Sequence, residues 1–247
     1  MQPARQDAYA RLTLICKPSA DGQGPGDCPF THYARMVLCA KGVDCAVLPM
    51  SKASKPAWLV DLGGSLPCLT SDLATGADAV VDSAAIAAHV NRTYGLESGC
   101  VAPMVVGSDE ASSACAGLFG ALAKFIKHAD DDGAANELLK EAVCEELRKI
   151  ERFLEARAGA GAGAGSGGHW LCDGDALGLL DCSVAPKLWV LQVAGGHYKN
   201  FLWPQPRVFP RLAAYQERVF ATDAFKSTMC SPDEVIFGWG QGRAGGH

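Results

Sequence analysis

Residues 11–49 read RLTLICKPSADGQGPGDCPFTHYARMVLCAKGVDCAVLP, and this stretch decides the fold. RLTLIC (11–16) is an apolar run of strand length, followed by the Gly/Pro-rich loop KPSADGQGPGDC. From Pro29 onward Phe30, Tyr33, Ala34, Val37, Leu38 and Ala40 recur at helical spacing, and Gly42 stops the helix. VDCAVLP (43–49) reads as a second strand. Further on, a short helix is expected through Pro56, Trp58 and Leu59. LPCLT (66–70) and AVV (79–81) form a hairpin, and a helix runs from Ser83 to a stop at Gly95. The order βαβα then ββα is that of a thioredoxin-like domain rather than a long doubly wound sheet.

Beyond residue 105 the pattern is helical throughout. Ala111, Cys115, Leu118, Leu122, Phe125 and Ile126 form one stripe, and Leu139, Val143, Leu147, Ile150 and Leu154 form a second. Helices are also expected over 179–195, 210–221 and 223–230, with a Pro-rich turn at 203–210. The Gly/Ala stretch ARAGAGAGAGSGGHW (156–170) reads as a flexible loop, centred on 158–168, without chemistry. The fold class is therefore α/β plus all-α. A thioredoxin-like domain spans 1–93, a linker 94–104 and an all-helical domain 105–247.

Composition narrows the function. The chain has 247 residues, 49% hydrophobic and 20% charged, with a net charge of −5, so no basic excess exists to neutralise nucleic-acid phosphates. Its eleven cysteines are an odd number, and no two stand three apart, which excludes a CxxC dithiol or zinc knuckle. MQPARQDAYA (1–10) lacks the apolar core of a signal peptide and no run reaches about 18 apolar residues, so a reducing compartment with mostly buried thiols is expected. Neither a metal site nor a nucleotide loop is expected: the histidines do not cluster with acids, and GQGPG (22–26) lacks the phosphate-loop pattern.

One cysteine stands apart. Pro29 sets Cys28 at the start of a helix, where unpaired N–H groups and the positive end of the helix dipole favour an anion. Thiols so placed ionise more readily. Thr31 occupies the position of a dithiol enzyme's second cysteine, so redox chemistry here is monothiol and needs an external thiol. Leu66–Pro67 before a strand suits an edge or a cis bond. Asp82–Ser83, between strand and helix, can cap N–H groups or hold an ammonium and a carboxylate. Lys55, in KPAW (55–58), adds a cation. His32 reads as a solvated helix residue that could serve Cys28 as a base, and Asp130–Asp131–Asp132 as an interhelical loop.

DCPFT (27–31), KPAW, Leu66–Pro67, VVDS (80–83), LLDCSVAPKLWVL (179–191) and GGHYKN (195–200) together resemble the glutathione-dependent dehydroascorbate reductases of the glutathione-transferase superfamily. These are relatives of the chloride-intracellular-channel-like proteins. The resemblance runs from about residue 11 to 240. It implies a glutathione-binding thioredoxin-like domain and a helical domain that completes the second-substrate pocket. The implied activity is that of a glutathione dehydrogenase acting on ascorbate, which recycles dehydroascorbate to ascorbate, with glutathione as co-substrate and no metal or nucleotide.

By position, the resemblance implies that Cys28 is the nucleophile, assisted by Asp27 and Lys17. Phe30, Lys55, Leu66, Pro67, Asp82, Ser83, His197 and Trp239 would bind glutathione. Lys17, Asp27 and Arg243 would contact the ascorbate-like substrate. Gly242 stands where the family has a lysine after the C-terminal tryptophan, and Arg243 follows it. Gly178 stands where the family carries Ser or Thr three before Asp181, which predicts weaker helix capping. A monomer in the cytoplasm is expected, or in the plastid if a transit peptide has been removed. Two alternatives are an omega-like glutathione thiol transferase that removes glutathione from mixed disulfides, and a channel-like, membrane-associating non-enzyme.

Overall fold

The computed structural model describes residues 12–94, 103–129, 133–159 and 169–243. The chain divides into two compact units, Met1–Pro103 and Met104–His247. The first unit is built on a four-stranded mixed sheet in the order β2-β1-β3-β4. Strand β1 (Thr13–Cys16) lies parallel to β2 (Ala46–Pro49) and antiparallel to β3 (Cys68–Thr70), and β3 is antiparallel to β4 (Val80–Val81). Parallel pairing requires a crossover, and helix α1 (Pro29–Ala40) supplies it between β1 and β2.

Helix α1 ends as the sequence predicts. Gly42 adopts φ 64°, its N–H donates to the Cys39 carbonyl, and Val43 N–H donates to Leu38 O at 2.9 Å, closing the last turn. The short helix α2 (Ala57–Asp61) and helix α3 (Ser83–Thr93) complete the unit. Helices α1 and α3 pack together, and Ala34 and Val37 of α1 and Ile86 and Val90 of α3 are fully buried. Ile15, Leu59 and Cys68 form a second buried cluster, covered by Met50, Trp58, Leu66 and Val81. The predicted helix stop at Gly95 lies outside the described residues, as do most of the 94–104 linker, the Asp130–Asp132 run and 160–168 of the Gly/Ala loop.

The second unit is helical. The stripe over 111–126 is not one helix but two, α4 (Asp109–Cys115) and α5 (Leu118–Lys127). The break falls at Gly117, where an added Cβ would collide with the Glu146 carboxylate of α6 (Ala134–Gly159). Helix α6 runs through the second stripe and into the start of the Gly/Ala stretch. Helix α7 (Leu179–Val190) continues through a π-turn at Leu191–Gly195 into α8 (Gly196–Lys199), and α9 (Pro210–Ala221) and α10 (Asp223–Lys226) follow. A last helix, α11 (Pro232–Arg243), has no counterpart in the sequence reading. No described helix is long and apolar enough to cross a membrane.

The start of α7 shows why glycine replaces a capping hydroxyl. Asp181 is wholly buried, and its carboxylate accepts the N–H groups of Leu171 at 2.8 Å and Gly178 at 2.9 Å. Burial pushes its carboxyl up, and these two N–H donors pull the other way. One half of a capping box is thus intact. The other half cannot be added, because a Cβ on Gly178 would collide with Cys172 Sγ. A capping hydroxyl contributes about 1 kcal/mol, whereas overpacking costs about 1–3 kcal/mol. We therefore expect Gly178→Ser to lower stability by about 1–2 kcal/mol in thermal unfolding. A stabilised Gly178→Ser protein would refute this packing account.

Candidate active site

The sheet register gathers the site. Ile15 pairs with Cys68, and Cys68 pairs with Val81. Continued past these residues, the ladders run toward Lys17 on the first strand, Leu66–Pro67 on the third and Asp82–Ser83 on the fourth. All three segments therefore leave the sheet at the same end. The second strand leaves there too, with Met50 N–H donating to Cys16 O at 2.9 Å, and leads to Lys55.

The loop after β1 folds back on itself and delivers Cys28 to that end. Gly26 N–H donates to Lys17 O at 2.8 Å, and Ser19 N–H to Gly24 O at 2.7 Å. Gly26 permits this closure, because a Cβ there would collide with the Pro18 carbonyl. Cys28 is the N-cap of α1, with Pro29 in the first turn, as the sequence predicts, and its sulfur makes no capping hydrogen bond. Beside it, Lys17 Nζ lies 2.6 Å from the Asp27 carboxylate. Asp27 is buried and Lys17 half-exposed. His32 is 5% exposed and so is not the solvated residue expected: α1 turns it into the interior one turn after Cys28.

Leu66 and Ser83 offer unpaired polar groups at the same sheet end. The Leu66–Pro67 bond is cis, and Leu66 N–H and C=O have no main-chain partner among the described residues. Asp82 caps α3, with Oδ1 accepting Ala84 N–H at 2.8 Å and Ala85 N–H at 3.2 Å. It does so at φ 81°, a backbone region that non-glycine residues rarely adopt. Ser83, the first residue of α3, is buried, and its N–H stands at the positive end of the helix. Lys55 Nζ donates to the Gly64 carbonyl.

One supporting residue escaped the sequence reading. The Asp78 carboxylate accepts the Thr70 hydroxyl at 2.7 Å and Ser71 N–H at 2.8 Å, which fixes the turn between β3 and β4. Burial alone would raise its carboxyl, but donors from Ser71 and Thr70 outweigh that and hold it at about 2. The polar string TSDLATGAD (70–78) was a signal for this turn.

Phe30, the second residue of α1, is half-buried, and the other three expected site residues belong to the helical unit. His197 is exposed on α8, its ring edge-on to Tyr198. Trp239 is buried, edge-on to Phe119, with the Lys127 ammonium 5.9 Å over its ring. Arg243 donates to the carbonyls of Ile126 and His128 at the end of α5 and stacks 4.9 Å over Tyr198. Its guanidinium is thus engaged in closing a helix C-terminus.

The ten described cysteines are all reduced thiols. Burial pushes Cys16 up to about 12 and Cys68 up to about 11, which leaves both protonated at neutral pH. Cys28 is only partly buried. A buried Asp27 stripped of its cation would oppose a second negative charge nearby. Lys17→Met should therefore slow iodoacetamide modification of Cys28 by about three- to tenfold at neutral pH. Lys17→Met/Asp27→Asn should restore the rate; if it does not, the ion pair plays no electrostatic part at Cys28.

The chain resembles known proteins in both sequence and fold. Residues 27–93 match the family described as glutathione S-transferase, N-terminal domain. The chain is 28% identical over 216 residues to glutathione S-transferase DHAR2 of Arabidopsis thaliana, covering 87% of this chain and 89% of that protein. It is 27% identical over 232 residues to the probable cytosolic glutathione S-transferase DHAR1 of Oryza sativa subsp. japonica, covering 91% and 95%. Among solved structures, the dehydroascorbate reductase of Chlamydomonas reinhardtii superposes with a TM-score of 0.70 at 24% identity, over 95% of this chain and 99% of that one. The chain thus carries a glutathione S-transferase N-terminal domain within the glutathione S-transferase fold, and over most of its length it is a homologue of the glutathione S-transferases named DHAR.

Proposed function

We propose that this chain reduces dehydroascorbate to ascorbate at the expense of glutathione, with Cys28 as the nucleophile. The observation that carries the reading is the position of Cys28 as the N-cap of α1, at the sheet end where Leu66 and Ser83 offer unpaired main-chain groups. A peptide-like ligand pairs main chain to main chain at a free backbone segment such as Leu66. The γ-glutamyl carboxylate of glutathione suits the N-terminus of α3 at Ser83, with Asp82 facing its ammonium. Lys55 supplies a cation for the second carboxylate.

The reaction balances as follows. The Cys28 thiolate adds to a carbonyl carbon of dehydroascorbate, and the oxygen takes a proton. Water then attacks the sulfur, the electron pair of the C–S bond passes to the substrate carbon, and ascorbate leaves Cys28 as a sulfenic acid. One glutathione condenses with the sulfenic acid, releasing water and leaving a mixed disulfide. A second glutathione thiolate attacks the glutathione sulfur, freeing Cys28 and oxidised glutathione. Lys17, paired with Asp27, is placed to offset negative charge while the adduct collapses.

Steady-state kinetics with glutathione and dehydroascorbate test this directly. Cys28→Ser should lose about a thousandfold or more of kcat/KM, while Cys16→Ser and Cys68→Ser should retain activity wherever they fold. Retained activity in Cys28→Ser would overturn the assignment.

A further inference from the structure

Thr31 is the third residue of α1 and is 1% exposed. Its hydroxyl is buried and has no hydrogen-bond partner among the described residues. Its N–H belongs to the first turn, where a helix provides no internal acceptor. The next amide, His32 N–H, already donates to the Cys28 carbonyl at 3.0 Å. One buried residue therefore holds two unused donors. Buried donors without acceptors are costly, and native structures rarely keep them without a reason.

Helix geometry places both donors on the N-terminal side of Thr31 Cα. In an α-helix the Cα–Cβ bond leans toward the N-terminus, so the Thr31 side chain leans back toward the cap. The N-cap and third residues face each other across the first turn, the relation that capping boxes use. Here the cap residue is Cys28, whose sulfur makes no capping bond. A thiol is a weak acceptor, and a thiolate is a strong one. We propose that Thr31 is a positioning residue whose hydroxyl and N–H both donate to Cys28 Sγ when the sulfur is ionised, holding the thiolate at the helix end. Unlike a cysteine in the same place, a threonine supplies a donor without a second redox group. The inference rests on the reading of Cys28 as the nucleophile.

The test is the rate of iodoacetamide modification at Cys28 in the full chain, read by mass spectrometry of the peptide carrying it. Wild type is compared with Thr31→Val, Thr31→Ala and Thr31→Ser at about pH 7 and about pH 10. The variants lacking a hydroxyl should react about five- to tenfold more slowly at the lower pH and match wild type at the higher. Thr31→Ser should match wild type at both. Equal rates in all four proteins at the lower pH would overturn the proposal. So would a slowing that persists at the higher pH or extends to Thr31→Ser, since that is the mark of a packing role. The assay needs no turnover, so its outcome is separable from the Cys28→Ser result: retained reductase activity in Cys28→Ser sinks the nucleophile assignment whatever Thr31 does.

Discussion

The antiparallel ladder in which Thr13, Leu14 and Ile15 pair with Thr70, Leu69 and Cys68 is the constraint on which the site depends. It aims the end of β1 and the start of β3 at the same edge of the sheet, so Lys17 and Leu66 emerge together. The pairing of Cys68 with Val81 brings Asp82 and Ser83 to the same edge. A slip of one residue would turn Ile15 and Cys68 out of the cluster they share with Leu59 and would separate the polar groups as well. Core packing and site geometry are therefore fixed by one register.

Within that frame the ten described cysteines are sorted by burial and by place along the chain. Cys16 lies at the end of β1, inside the sheet, and its burial holds the proton on. Cys115 and Cys172, in the helical unit, are pushed up to about 12 for the same reason. Cys39 is exposed and sits near the C-terminal end of α1. Cys28 combines partial exposure with the favourable end of the same helix. Asp27, held by Lys17, precedes Cys28 in sequence, and Thr31 stands three residues after it.

Much of this is legible in the amino-acid sequence. Pro29 and Gly42 bracket α1 as their backbone preferences dictate, and Leu66–Pro67 and Asp82 stand where strand and helix begin. The features that escape a sequence reading depend on partners remote along the chain. The apolar stripe is split at Gly117, where the carboxylate of Glu146 takes the space a Cβ would need. Helix α11 carries Gly238, Gly240 and Gly242, each costing about 1 kcal/mol against alanine. The helix still forms: Gly240 admits the ring of Tyr198, whose hydroxyl donates to Ile236 O at 2.7 Å. His32 reads as solvated because a single polar residue carries no sign of which helix face it occupies.

The central claim is that Cys28 passes through a mixed disulfide with glutathione. The direct measurement is intact-protein and peptide mass spectrometry after dehydroascorbate and one equivalent of glutathione are added and the reaction is quenched with acid. The account predicts one glutathione per chain, on Cys28, discharged by a second addition of glutathione. Adducts on another cysteine, or turnover with Cys28 never modified, would contradict it.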